Sequence, residues 1–285
     1  MKRVGIVLHG ARPEAAATAG RLAELLRAQS IEVVALESDA ARVPGSTVTP
    51  VTEFSDDLDL VFVLGGDGTL LRAAEMVGPR GVPLLGVNFG GLGFLSAIER
   101  GDLESELVHI LEGGFHVEDR MVLAGEIVDG ERTTPVWAMN DVIIEKASIG
   151  RAIKLAVSIG GEPFVSIAAD GIIIATPTGS TAYSFSAGGP VVSPKIDCLI
   201  VTPVSPHGLF RAPVIVPPDE EVLINVLPAL DVGGLSADGQ EAVALSANAQ
   251  IRLRAQARGV RLATIDSTPF WRMVHRKFEL PGGRR

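Results

Sequence analysis

Cysteine is nearly absent. Cys198 stands alone among 285 residues, which excludes an internal disulfide and a cysteine-based zinc site and fits a cytoplasmic protein. Aromatics are few, 5% of the chain with a single tyrosine, so the core must be built from Val, Ile, Leu and Ala. Positive charge is short: 25 Lys and Arg against 34 Asp and Glu give a formal net charge of −9. That speaks against a nucleic-acid or anionic-membrane surface as partner. No apolar run approaches the roughly 20 residues that span a bilayer. The run after Met1-Lys-Arg breaks at His9, too short for a signal peptide. Standard site motifs are missing as well: no P-loop, no intact G-x-G-x-x-G, no His/Cys metal spacing and no G-x-S-x-G.

What is present is a packed composition, 47% apolar and 21% charged, in a chain long enough for one large domain or two ordinary ones. The first part alternates two patterns. Apolar runs at 3–8, 31–36, 58–64 and 82–88 read as buried strands, while 13–29, 69–77 and 103–111 carry apolar residues at helical spacing. This predicts a parallel sheet with helices on its faces and ligands beyond the carboxyl ends of the strands. Near 115–122 the pattern changes to short alternating runs, at 122–128, 136–145, 152–159, 172–175, 214–216, 222–226, 242–245, 251–255 and 260–265. Turn signals at Asp129-Gly130, Gly160-Gly161, Asp238-Gly239 and Arg258-Gly259 separate them. The expected organisation is an α/β domain with a parallel sheet over 1–118 and a mostly-β sandwich over 119–265. A C-terminal segment follows at 266–285, with helical spacing at 271–278 and a return to the first domain.

The stretch 61–72 carries the sharpest chemical signal. An apolar run ends at Gly65-Gly66, followed by Asp67, Gly68, Thr69 and a helical pattern that includes Arg72. Glycines let the backbone approach a phosphate, and a helix start aims free N–H groups at it. A carboxylate in such a place repels the anion unless it takes a proton from a hydroxyl or holds a metal ion. Gly-Asp-Gly is also a common turn, so the loop alone leaves a structural reading open. A second glycine-rich strand end runs from Asn88 and Phe89 to Leu95. Asn140-Asp141 interrupts an apolar run; such pairs usually face solvent, but if buried they need hydrogen-bond partners. From Asp170 an apolar strand runs into a hydroxyl-dense segment with Thr178, Thr181, Ala182, Tyr183 and Ser186, which suits either a solvent loop or a polar pocket for a base or sugar. Arg151, Lys154 and Arg211 are candidate cations, His207 is a lone titratable ring, and Asp238-Gly-Gln240 reads as a hairpin turn.

In this order and together, these segments resemble the NAD kinase family over nearly the whole chain. The glycine–aspartate loop is shared with lipid kinases and phosphofructokinases; the Thr-Pro-Thr-Gly-Ser-Thr-Ala-Tyr stretch at 176–183 is the specific part. The resemblance implies transfer of the terminal phosphate of ATP to the 2′-hydroxyl of the adenosine ribose of NAD, giving NADP, with Mg²⁺ accompanying ATP. Many members also accept inorganic polyphosphate. It further implies Asp67 as general base, Gly66, Gly68 and Thr69 against phosphates, and Asn140 and Asp141 on the nicotinamide-side ribose. Asp170 would meet the nicotinamide end, and Thr181, Ala182, Tyr183 and Ser186 would line the dinucleotide pocket. Arg72, Asn88, Phe89, Lys154, Thr178 and Gln240 are the remaining binding candidates; no protein metal ligand is expected. The family forms homodimers or homotetramers. Asp141 stands where many members carry Glu, one methylene longer. The rival readings are a non-catalytic NAD(P) sensor and a lipid or sugar kinase sharing the loop.

Overall fold

The computed structural model describes residues 1–91, 93–228, 233–265 and 269–281. Leu92 of the second glycine-rich stretch, and 266–268 and 282–285 of the expected C-terminal segment, lie outside them. The chain forms two compact units, Met1–Asp119 with Gly259–Arg285, and Arg120–Arg258.

The first unit carries strands β1 (Arg3–Leu8), β2 (Glu32–Leu36), β3 (Thr47–Thr49), β4 (Leu60–Gly65), β5 (Pro83–Asn88) and β6 (Ile98–Glu99). Its first three helices are α1 (Pro13–Ala28), α2 (Asp67–Val77) and α3 (Leu103–Leu111). The strands pair in the order β5-β4-β1-β2-β3, all parallel, with β6 on β5. Every residue of β4 is buried, as a parallel strand covered on both faces requires. On one face Ile6, Phe62 and Leu85 pack with Leu22 and Leu26 of α1 and Leu107 and Ile110 of α3. On the other face α2 lies so close that a β-carbon on Gly86 would come within 2.9 Å of Leu70.

The second unit is a sandwich of two antiparallel sheets. Its strands are β7 (His116–Asp129), β8 (Arg132–Ala138), β9 (Asp141–Lys146), β10 (Ile153–Ile159), β11 (Glu162–Ala169), β12 (Gly171–Ala175), β13 (Leu199–Val204), β14 (Val214–Val216), β15 (Val222–Val226), β16 (Gly233–Ala237), β17 (Val243–Ala244) and β18 (Gln250–Thr264). One sheet runs β14-β13-β12-β9-β16-β17; the other runs β11-β10-β15-β18, with β7 and β8 following on β18. Leu123, Ile144, Leu155, Ile174, Ile224 and Leu253 form one buried core between them. The short helix α4 (Tyr183–Ser186) follows β12.

Two expectations about elements need correction. The run at 136–145 is not one strand: β8 ends at Ala138, β9 begins at Asp141, and the two belong to different sheets. The turn expected at Arg258-Gly259 is absent. Arg258 does take a positive φ of 55°, yet β18 runs through it. Before that point β18 pairs with β15, and after it with β5. The last helix, α5 (Phe270–Lys277), groups with the first unit.

Candidate active site

In the first unit the site grows from the carboxyl end of β4. Gly66 caps α2 in extended conformation and Asp67 is the first helical residue. Thr69 folds back over Gly65, where a β-carbon would stand 2.3 Å from Thr69 Oγ1. The first N–H groups of a helix lack intrahelical acceptors, and here they border an open cleft of about 390 Å³ lined by Gly66, Gly68, Thr69, Arg72, His9, Gly10 and Arg12. Arg72 Nη2 donates to Leu8 O at 2.8 Å, and the Arg12 guanidinium donates to Phe89 O. Each guanidinium is thereby fixed at the rim with further N–H donors in hand. His9 Nδ1 accepts the Ala11 N–H at 3.2 Å, so in the neutral ring the proton sits on Nε2. In a chain of net charge −9, this gathering of donors is suited to an anion. His9, Gly10 and Arg12 were missed in the sequence, although the turn after β1 lies beside that after β4 and the carboxyl-end rule covers both.

Asp67 faces the second glycine-rich stretch. Its Oδ2 accepts the Phe94 N–H at 3.0 Å and its Oδ1 the Leu95 N–H at 3.3 Å. A carboxylate oxygen has more than one acceptor direction, so each retains capacity for a hydroxyl proton. Asn88 is 5% exposed and its amide is used inside the loop. Nδ2 donates to both Glu99 oxygens, at 3.1 and 3.2 Å, and Oδ1 accepts the Gly90 N–H at 3.0 Å. Phe89 is held by its N–H to Gly65 O at 3.0 Å, with the Arg100 guanidinium 5.9 Å from its ring centroid.

In the second unit Met139 and Asn140 cross from β8 to β9, and Asp238 holds the crossing. Its carboxylate accepts N–H groups of Met139 at 2.7 Å, Asn140 at 2.7 Å and Asp141 at 3.2 Å. Asp238 has φ 50° and Gly239 φ 72°, so the hairpin turn is real, but it also caps the crossing. Asp141 is 4% exposed, not solvent-facing; burial, then the Asp238 charge, push its carboxyl up to about 7. A β-carbon on Gly179 would stand 2.1 Å from Asn140 O, so the 176–186 segment presses against this crossing. Within that segment the hydroxyls divide. Thr176 Oγ1 donates to Met139 O at 2.6 Å, Ser180 Oγ to Pro177 O at 2.7 Å, and Ser184 Oγ meets Thr202 Oγ1 at 2.9 Å. Thr178 is buried, Thr181 and Ala182 are half-buried, and Tyr183 and Ser186 are exposed.

Asp170 is not brought beside Asn140. Asp141 opposes Ala175, whereas the Lys146 N–H bonds Asp170 O. The two aspartates therefore lie at opposite ends of the β9–β12 pair, roughly 17 Å apart at strand rise. Lys146 bonds the Asp170 side chain and holds its carboxyl below the usual range. Lys154 is exposed on β10, and Gln240 is exposed with its N–H on Ala237 O at 2.9 Å. Among the described residues no three His, Cys, Asp or Glu side chains gather as a metal site, and no helix is long and apolar enough to cross a membrane.

A glycine–aspartate loop at a parallel strand end, an anion-suited cleft beside it and an antiparallel sandwich define a phosphotransferase-like architecture. Residues 4–115 match the ATP-NAD kinase N-terminal domain and 139–265 the ATP-NAD kinase C-terminal domain. The chain is 39% identical to an NAD kinase of Thermobifida fusca over 98% of this chain and 90% of that one. It is 37% identical to one of Heliobacterium modesticaldum over 98% and 99%. Among solved structures, a yeast NADH kinase complexed with NADH shares the fold, with TM-score 0.91 and 24% identity over 100% of this chain and 89% of that chain. An NAD kinase from Archaeoglobus fulgidus in complex with ATP superimposes with TM-score 0.75 and 25% identity, over 98% and 100%. The chain belongs to the NAD kinase family.

Proposed function

We infer that this chain is an NAD kinase that transfers the terminal phosphate of ATP to the 2′-hydroxyl of the adenosine ribose of NAD. The observation that carries the reading is the Asp67 carboxylate at the first position of α2, beside a cleft edged by Arg12, Arg72 and His9, in a chain of this family. The triphosphate lies in that cleft against Gly66, Gly68 and the two guanidiniums. Asp67 takes the 2′-hydroxyl proton as the new O–P bond forms and the bond to ADP breaks; a positioned base of this kind contributes about 10²–10⁴-fold. Asn140, Asp141 and the 178–186 segment hold NAD. Mg²⁺ fits one nearby carboxylate and substrate phosphates rather than a protein cage, and when bound it neutralises phosphate charge.

Polyphosphate is a second donor by the same chemistry, since the cleft residues grip phosphates rather than a base. The protein works in the cytoplasm as a homodimer or homotetramer. Support for self-association comes from the exposed pair Phe164 and Phe210, with ring centroids 5.2 Å apart, and the fully exposed Leu209.

The test is NADP formation from NAD with MgATP and with Mg-polyphosphate. NADP from ATP supports the reading. NAD binding without turnover would favour a sensor, and phosphorylation of lipid or sugar acceptors instead would favour the related kinases.

A further inference from the structure

The C-terminal helix reaches the reacting carboxylate through one residue. Phe94 gives its backbone N–H to Asp67 Oδ2 at 3.0 Å. Its ring lies against two rings of the C-terminal segment: Phe270, with centroids 6.3 Å apart and planes at 42°, and Phe278, at 5.9 Å and 45°. Both separations fall within the range of favourable tilted aromatic pairs. Phe270 opens α5 and Phe278 closes it. With buried Val274 they form an i, i+4, i+8 stripe, the apolar face of an amphipathic helix. Trp271 packs edge-on to Phe270 at 5.0 Å and braces that end. The stripe thus grips the side chain of the residue whose main chain grips Asp67.

The rest of the loop is anchored elsewhere. Asn88 and Glu99 hold its start; buried Leu95 and the Ala97 N–H on Gly86 O at 2.8 Å hold its end. Between them Phe94 packs its ring on Phe270 and Phe278 while its N–H meets Asp67. Rotating the Phe94 peptide plane would turn the N–H away from Asp67 Oδ2 and leave the carboxylate held by the Leu95 N–H on Oδ1 alone of the two loop donors.

We propose that Phe270 and Phe278 are positioning residues for phosphoryl transfer, acting through Phe94 on the orientation of Asp67. This rests on Asp67 being the base of the proposed NAD kinase reaction. Misplacement of a reacting group by about 1 Å costs on the order of 10²-fold in rate, so small rotations matter.

The experiment is steady-state NADP formation by the full chain carrying Phe270→Ala, Phe278→Ala or Phe278→Tyr, beside wild type and Asp67→Asn. The expected result is a kcat loss of about 10- to 100-fold in the alanine variants, with KM for NAD and ATP within about twofold. Phe278→Tyr, which keeps the ring, returns to within about threefold of wild type. In the Asp67→Asn background Phe278→Ala should cost little more, because the group it orients is gone. Should the alanine variants be insoluble, Phe270→Leu and Phe278→Leu keep apolar volume without the ring and carry the same expectation. Unchanged kcat, or a loss that Phe278→Tyr does not restore and that multiplies with Asp67→Asn, overturns the proposal. Wild-type activity with full loss in Asp67→Asn but unaltered phenylalanine variants would sink this proposal alone and leave the NAD kinase reading standing.

Discussion

A β-carbon on Gly93 would stand 2.3 Å from Asp67 Oδ1. No side chain fits there unless the carboxylate or the loop moves, so the place of Asp67 depends on a glycine 26 residues further along the sequence. Gly93→Ala should lower kcat for NADP formation by about 10- to 100-fold while leaving the far-UV spectrum unchanged. Steady-state kinetics beside circular dichroism check it.

Within the second unit Asp238 accepts the N–H groups of Met139, Asn140 and Asp141. In Asp238→Asn one oxygen becomes an NH₂ that faces donors instead of accepting from them. Hydrogen bonds to a charged group contribute about 1.5–3 kcal/mol each, so stability should fall by about that amount and KM for NAD should rise as Asn140 and Asp141 shift. Denaturant titration and NAD titration of the rate measure the two effects.

Asp141 gives a pH prediction. Its carboxyl is raised from 3.8 to about 7 in the folded protein, so over that interval the folded state holds a proton that the unfolded chain releases. The stability from this group is fully present below the unfolded value and is lost as pH rises through about 7. Asn has no proton to lose. Between about pH 5 and about pH 8 the Asp141→Asn variant should therefore lose on the order of 2 kcal/mol less stability than wild type. Paired denaturation curves across that range decide it; parallel pH profiles would count against the buried, protonated carboxyl.

What was legible in the sequence was what is locally encoded. The apolar run ending in Gly65-Gly66, and the helical spacing of Leu70, Ala73, Ala74 and Val77 behind it, predict strand, turn and helix within a few residues. The split between β8 and β9 was not legible, because the residues on both sides of it, 136–139 and 142–144, are apolar and the crossing at Met139–Asn140 is held by Asp238, 98 residues from Asn140. The strand β13 was missed; Pro203, which removes a ladder donor, argues against a strand there, yet it pairs opposite Ile172. Arg258-Gly259 reads as a turn from its residues, and only the change of partner from β15 to β5 explains why the strand continues. At the candidate site, Asp67 was visible because a carboxylate in a glycine-rich turn at a helix start, a place suited to an anion, is chemically odd. Phe94 was not, since the rings it packs against lie 176 and 184 positions away.

The central claim is that Asp67 is the base that activates the ribose hydroxyl. The most direct measurement is NADP formation with MgATP by Asp67→Asn beside wild type, together with the NAD dissociation constant of each by calorimetry. The account predicts NAD binding within about twofold and a kcat loss of at least about 10²-fold. A near-wild-type kcat in Asp67→Asn would contradict it.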